Sequence, residues 1–174
     1  MLNIRAANAA EFPAVRAFYH RLIDQAADYG YPLGWEKDVY PSPDQLRRAL
    51  SRRQLYLGEE AGELLAALIL DRECNEGYAG APWAVAAGPE QVSVIHALGV
   101  LPRTQGRGLG REMVRAAVAQ ARACGSRALR LDVLAGNLPA ERLYLSQGFR
   151  RISTVRMYYP DTGWTEFDLY ELPL

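Results

Sequence analysis

Residues 12 to 26 place Phe12, Val15, Phe18, Tyr19, Leu22, Ile23 and Ala26 at helical spacing, which predicts a helix with one apolar stripe. Pro32, Gly34, Pro41 and Pro43 then break the chain into a loop. A short helix is expected over 44 to 52, with Ser42 or Asp44 as its cap. Leu55 to Gly58 and Glu63 to Leu70 read as two strands joined by a turn at Ala61-Gly62. Residues 71 to 90, with Gly77, Gly80, Pro82, Gly88 and Pro89, read as irregular.

The second half alternates. Val92 to Leu101 is a predicted strand. Residues 109 to 123 gather Met113, Val114, Ala117, Val118 and Ala121 on one helical face, and Gly125 ends that helix. Ala128 to Leu134 is a strand and Leu138 to Gln147 a short helix closed by Gly148. Two strand-like runs follow, near 150 to 159 and 164 to 172, with Pro160-Asp161-Thr162-Gly163 as the turn between them. Strand, helix, strand, helix and a hairpin indicate a mixed sheet with helices on its faces.

Composition narrows the classes. At 174 residues the chain has the length of one domain, and it is long enough to bury a core without a disulfide or metal staple. An apolar fraction of 49% and a charged fraction of 23% exclude a disordered chain. Twenty basic residues balance 20 acidic ones, so bulk charge makes no case for nucleic acid or an anionic membrane. Lys37 is the only lysine, and every other basic residue is arginine, the residue that binds phosphate as a fork. Cys74 and Cys124 form neither a metal-ligand spacing nor a disulfide framework; a reduced, cytoplasmic chain without a metal is the expectation. The start lacks the apolar centre of a signal peptide, and the longest apolar run, Leu64 to Leu70, is far too short to span a membrane.

The informative segment runs from Val100 to Arg111: a strand exit, Gln105-Gly106-Arg107-Gly108-Leu109-Gly110, then a helix. Amides at such a helix start, together with the helix dipole, favour a phosphate or pyrophosphate. A nucleoside-triphosphate loop needs a lysine that is absent here. A dinucleotide turn needs a further glycine where Met113 or Arg111 stands. A plain glycine-rich connection stays open on this turn alone.

That hexapeptide resembles the Gln/Arg-x-x-Gly-x-Gly/Ala signature of the GNAT N-acetyltransferase superfamily, and Leu98-Gly99-Val100-Leu101-Pro102 looks like its fourth strand and exit. Asn137, Tyr144 seven residues on, and Gly148-Phe149 look like its second motif. The likeness is close from about Val92 to Phe149 and weaker elsewhere. It implies an α/β (α+β) GNAT fold: a mixed, mostly antiparallel twisted sheet of about seven strands, splayed between strands 4 and 5 and flanked by about four helices. It also implies acetyl-CoA as cosubstrate. By the same resemblance, the backbone of Leu98, Gly99 and Val100 pairs with the pantetheine arm. The amides of Gly106, Arg107, Gly108, Leu109, Gly110 and Arg111 hold the pyrophosphate. Arg103, Arg107 and Arg111 can add charge at the phosphates.

Asn137 matches the asparagine that binds the pantetheine arm and also suits a helix N-cap. Tyr144 matches the tyrosine that protonates the departing thiolate. For the base, His96 shares a strand face with Leu98 and Val100. It is similar in position to one of two strand-four histidines of serotonin-type arylalkylamine acetyltransferases; the other falls at Val94, where histone-type members carry a glutamate, so this chain departs from both patterns. Asp132 is the second candidate, similar in position to a glutamate assigned as base in ribosomal-protein alanine acetyltransferases.

The acceptor side is expected at helix one, the 30–43 and 71–90 loops and the last hairpin. Tyr31, Trp35 and Tyr40 lie on the first loop; Glu73, Glu76 and Trp83 on the second; Tyr158, Tyr159 and Trp164 on the hairpin. Aromatic and acidic residues together suit a cationic amine. The expected activity is acetyl transfer to a primary amine, with a small molecule favoured because no acidic groove is visible. The Tyr158-Tyr159-Pro160 run resembles the tail of peptide-N-terminus acetyltransferases, which keeps a protein or peptide amine as the alternative. A coenzyme-A-binding module without chemistry is the rival from another class. Family members often dimerise through C-terminal strands, for which Glu166 to Tyr170 is the candidate segment here.

Overall fold

A computed structural model describes residues 2–30 and 33–174. One seven-stranded mixed sheet has the order β1-β2-β3-β4-β5-β7-β6. Its strands are β1 (Asn3–Ala6), β2 (Leu55–Glu60), β3 (Glu63–Asp71), β4 (Val92–Val100), β5 (Ala128–Leu134), β6 (Arg150–Tyr159) and β7 (Gly163–Pro173). Its helices are α1 (Phe12–Asp28), α2 (Pro43–Ser51), α3 (Leu109–Ala123) and α4 (Leu138–Ser146). The chain divides into two compact units. The first holds the residues up to Ile69 with His96–Met113, and the second Leu70–Ile95 with Val114–Leu174.

In the first unit the stripe on α1 buries Val15, Phe18, Tyr19, Leu22 and Ala26. Of the two candidate caps for α2, Ser42 takes the role: its hydroxyl accepts from the Gln45 amide at 3.1 Å. The β2–β3 turn puts both Ala61 and Gly62 at positive φ, 52° and 78°, the torsions that a two-residue turn of right-twisted strands requires. Strand β1 lies outside the sequence-based reading. Four residues are too few to show a period of two, and β1 exists because β2 offers it an edge, with Asn3↔Glu59 through Ala6↔Tyr56 in register. Arg5 anchors it through Glu11 at 2.7 Å and Glu59 at 2.8 Å.

In the second unit β5 runs parallel to the start of β4, over Val92↔Ala128, Ser93↔Leu129 and Val94↔Arg130. It pairs antiparallel with β7 along its whole length. Gly125, Gly148 and Gly163 take positive φ where the sequence places helix ends and a turn. Strand β6 pairs with β7 on the latter's other side and forms the end of the sheet. The expected dimer segment, Glu166 to Tyr170, is therefore paired on both sides within the chain and offers no free strand edge, while its residues Phe167–Tyr170 are buried. The core of this unit gathers Tyr78, Val92, Val94, Met157, Phe167 and Leu169.

Candidate functional site

Strand β4 carries the first group of candidates. Ala97 adopts φ of 49°, uncommon for a residue with a Cβ, and breaks the regular course of the strand in its middle. The Ala97 carbonyl accepts from the buried Tyr19 hydroxyl at 2.9 Å, which holds the irregularity against α1. Burial drives the ionisation of Tyr19 upward, so that hydroxyl remains a donor. Past this point Ala97 and Gly99 are buried, whereas His96, Leu98 and Val100 are half-buried and share the more open face. Gly99 lets α1 approach: a Cβ there would lie 2.3 Å from Leu22 Cδ2 and 3.7 Å from the Trp35 ring. Gly99→Ala is expected to cost about 1–3 kcal/mol by overpacking. Thermal unfolding checks this, and an unchanged midpoint would show that Leu22 rotates away freely.

The strand exit is built from short-range bonds. Leu101 donates its amide to Leu65 O at 3.0 Å, and Thr104 caps the Pro102–Thr104 turn with its hydroxyl on Leu101 O at 2.8 Å. Gly106 and Gly108 follow at φ of 79° and 83°, and a Cβ at either would meet nothing within 4 Å. Torsion, then, requires glycine at these positions, and the space beside them is open. Buried Leu109 anchors the start of α3, and the Glu112 amide donates to Gly108 O. The amides of Leu109, Gly110 and Arg111 precede any carbonyl they could reach inside the helix, which leaves them directed outward at its positive end. An open, left-handed glycine turn leading into such amides fits a pyrophosphate.

Two of the arginines expected near phosphate are engaged elsewhere. Arg103 pairs with Glu63, which Arg21 also contacts at 3.3 Å, and Arg107 pairs with Glu60. Those guanidinium bonds hold the Glu63 and Glu60 carboxyls below their ordinary range. Arg111 is exposed on the first turn of α3.

The second unit holds Asp132, Asn137 and Tyr144. Asn137 caps α4, its side-chain oxygen accepting the Ala140 amide at 3.3 Å. Tyr144 is buried, with its ring edge-on to Phe149 at 5.5 Å and tilted to Tyr170 at 6.5 Å. Among the described residues its hydroxyl has no hydrogen-bond partner. Burial first, and the charge of Asp132 second, push its ionisation upward, so it stands as a neutral O–H donor. Asp132 sits half-buried on β5, and its Oδ2 accepts two phenol hydroxyls: Tyr78 at 2.8 Å and Tyr159 at 2.9 Å.

Tyr78 is the functional candidate that the sequence hides. It lies in an irregular stretch with no periodic signal, and its partner on Asp132 is 54 residues away. Tyr159, expected at the acceptor side, is found on the same carboxylate. Trp35 packs between Tyr19, tilted at 6.1 Å, and Tyr40, edge-on at 5.4 Å. Trp83 donates its ring N–H to Tyr78 O at 3.0 Å. Tyr158 and Trp164 form an exposed aromatic pair on the hairpin, 5.9 Å apart. Glu73 lies on the loop after β3, where its amide donates to Asp71 Oδ1 at 2.9 Å, and Glu76 opens the short turn that ends at Tyr78. Tyr31 lies outside the described residues. Among the described residues no cluster of His, Cys, Asp and Glu could hold a metal ion, and no helix is long and apolar enough to cross a membrane.

Comparison with known proteins gives a consistent picture. Residues 19–149 match the family model described as "Acetyltransferase (GNAT) family". The chain is 32% identical over 126 residues to N-alpha-acetyltransferase RimI of Mycobacterium tuberculosis, covering 72% of this chain and 71% of that protein. It superposes on a GNAT-family acetyltransferase of Streptococcus agalactiae with a TM-score of 0.80 at 15% identity, over 99% of this chain and 95% of that one. With yncA of Salmonella typhimurium, whose structure carries acetyl-CoA, the TM-score is 0.71 at 22% identity, over 100% and 94% of the two chains.

Proposed function

Because the chain belongs to the GNAT acetyltransferase family, and so is an acetyl-CoA-dependent acetyltransferase, we propose that it acetylates the α-amine of a protein or peptide N-terminus by direct attack on the thioester. The 174 residues act as one catalytic domain. The relative named an N-alpha-acetyltransferase supports an α-amine acceptor in place of the small amine that the sequence favours. So does acid–base chemistry. An α-amine has an ordinary pKa near ~8, against ~10.4 for an alkylamine, so far more of it is neutral and nucleophilic at pH 7. Exposed, unpaired Cys74 and Cys124 suit a reduced, cytoplasmic setting.

Roles follow residue by residue. Gly106, Arg107, Gly108, Leu109, Gly110 and Arg111 hold the pyrophosphate with their amides, and Leu98, Gly99 and Val100 pair with the pantetheine arm, which Asn137 also contacts. The Val100 amide region supplies a donor to the developing oxyanion. In the reaction the N–C bond forms and the C–S bond breaks. One amine proton passes to Asp132, and the thiolate takes the Tyr144 proton, which solvent replaces. His96, on the open face of β4, is the competing base, and the pH profile separates the two.

The buried Tyr144 hydroxyl, whose ionisation is held up first by burial and then by the charge of Asp132, carries this reading. A buried phenol kept neutral within the field of a carboxylate suits an acid and a base in one site, and a module that only binds coenzyme A needs neither. Raising Tyr144 makes it a weaker acid than a phenol in water, but the burial that raises it also penalises a nascent thiolate, so the transfer stays useful. Tyr144→Phe is expected to lower kcat about a hundredfold, the lower end for a positioned acid, because a thiolate already leaves tolerably. Acetyl-CoA affinity should hold.

The decisive experiment is thiol release from acetyl-CoA over peptides with free N-termini and a panel of small amines, with mass detection of products. Peptide N-terminal acetylation is the expected outcome. Product only on small amines would replace the acceptor assignment. Tight acetyl-CoA binding with no release for any acceptor would leave a binding module.

A further inference from the structure

Two phenol hydroxyls converge on one oxygen of one carboxylate, and they arrive from separate elements. Tyr78 ends the short turn Glu76–Tyr78, and Tyr159 ends β6. Packing alone does not ask for either hydroxyl. The Tyr78 ring lies in the core among Val92, Val94 and Met157, and the Tyr159 ring stands edge-on to Phe167 at 5.0 Å; phenylalanine would fill both places. Tyr78 is buried and Tyr159 half-buried, and a hydroxyl taken out of water costs free energy unless it is bonded.

The turn bearing Tyr78 is braced from both ends. Asn75 caps the Gly77 amide at 2.9 Å and donates to Tyr158 O at 3.3 Å. Gly77 seats the turn against β6, since a Cβ there would lie 2.3 Å from Met157 Cγ. On the other side Trp83 donates to Tyr78 O and packs tilted against the Tyr78 ring at 5.3 Å, while the Arg130 guanidinium covers Trp83 at 4.2 Å. Arg130 also donates to Val85 O, and Glu171 takes Arg130 together with the Ala84 and Val85 amides. The whole 75–86 segment is thereby fixed so that one hydroxyl reaches Asp132.

We infer that Tyr78 and Tyr159 are positioning residues that clamp Asp132, fixing the rotation of its carboxylate and keeping it charged to receive the amine proton. This rests on the reading of Asp132 as base. Two O–H donors on one carboxylate oxygen favour its ionised form and hold its plane still. Burial first, and the Asp132 charge second, hold Tyr78 well above the ordinary phenol range, so it cannot surrender the shared proton and remains a donor. Tyr144 and Cys74 also feel the charge of Asp132, and Cys74 in turn feels Arg130 and Asp71.

The test uses full-length protein with carbon-13 in its aspartate carboxyls, titrated without substrates and assigned by Asp132→Asn. Tyr78→Phe and Tyr159→Phe are each expected to raise the Asp132 midpoint by about one pH unit, and the double variant further, with the other aspartates unmoved. In the peptide assay the acidic limb of kcat/KM should move up by the same amount, and acetyl-CoA affinity should stay constant. An Asp132 midpoint unmoved in all three variants, with Asp132→Asn inactive, overturns the clamp and leaves the base assignment standing. A midpoint that moves while Asp132→Asn turns over like the parent removes the base assignment, and with it the clamp as a part of catalysis.

Discussion

Glu171→Gln is expected to destabilise the protein by about 3–5 kcal/mol, the range for removing one partner of a buried ion pair. Glu171 is 1% exposed and Arg130 9%, with Nε to Oε2 at 2.8 Å. The variant leaves a full guanidinium charge in a site from which water is excluded. The Ala84 and Val85 amides, at 2.8 and 3.1 Å, lose a charged acceptor at the same time. In a chain of this size the midpoint of thermal unfolding should fall by roughly 10 °C. Replacing both partners by apolar residues, Arg130→Met with Glu171→Leu, should cost less than the single change, because no charge is then stranded. A single-variant loss below about 1 kcal/mol would mean that the pair is solvated in solution and contributes as surface pairs do. Because the same pair braces Trp83 and Tyr78, the folded fraction of Glu171→Gln should also show a raised acidic limb in the peptide assay.

Asp132→Asn is expected to lower kcat/KM by about a thousandfold and to abolish the acidic limb of its pH profile. Asparagine keeps the volume and one acceptor oxygen for the tyrosines, so the fold survives; what goes is the ability to take a proton. His96→Ala should keep that limb, with a smaller loss from the altered face of β4. The reverse pattern, a limb kept in Asp132→Asn and lost in His96→Ala, transfers the base to the histidine. A peptide with a lysine-like amine in place of its α-amine sharpens the comparison. Its higher ordinary pKa, ~10.4, makes turnover depend more heavily on whichever group is the base.

Part of this architecture is plain along the chain because its causes are local. The stripe on α1 and the face of α3 repeat at 3.6 residues, so burial shows through composition alone. Glycine at 106 and 108 answers to its own torsion, and Asn137 caps a helix three residues from itself. Where two local signals compete, as Ser42 and Asp44 do ahead of α2, the backbone geometry of the cap decides between them. Strand β1 escapes because a four-residue strand carries no period and depends on the edge it joins. The dimer segment Glu166 to Tyr170 looks like an available strand until β6 is seen to occupy its second side. Arg103 and Arg107 look like phosphate ligands until the β2–β3 hairpin brings Glu63 and Glu60 beside them.

From its residues alone the chain determines its helices, most of its strands, the glycine turn ahead of α3 and the family motifs upon them, since each depends on spacing within a few residues. Tertiary structure alone decides that Tyr78 and Tyr159, 54 and 27 residues from Asp132, meet on one oxygen, and that Glu171 closes on Arg130 across 41 residues. Those partners are chosen by strand register and by which loop packs over which edge. No periodicity records that choice, because it is made by the sum of contacts that bury the core.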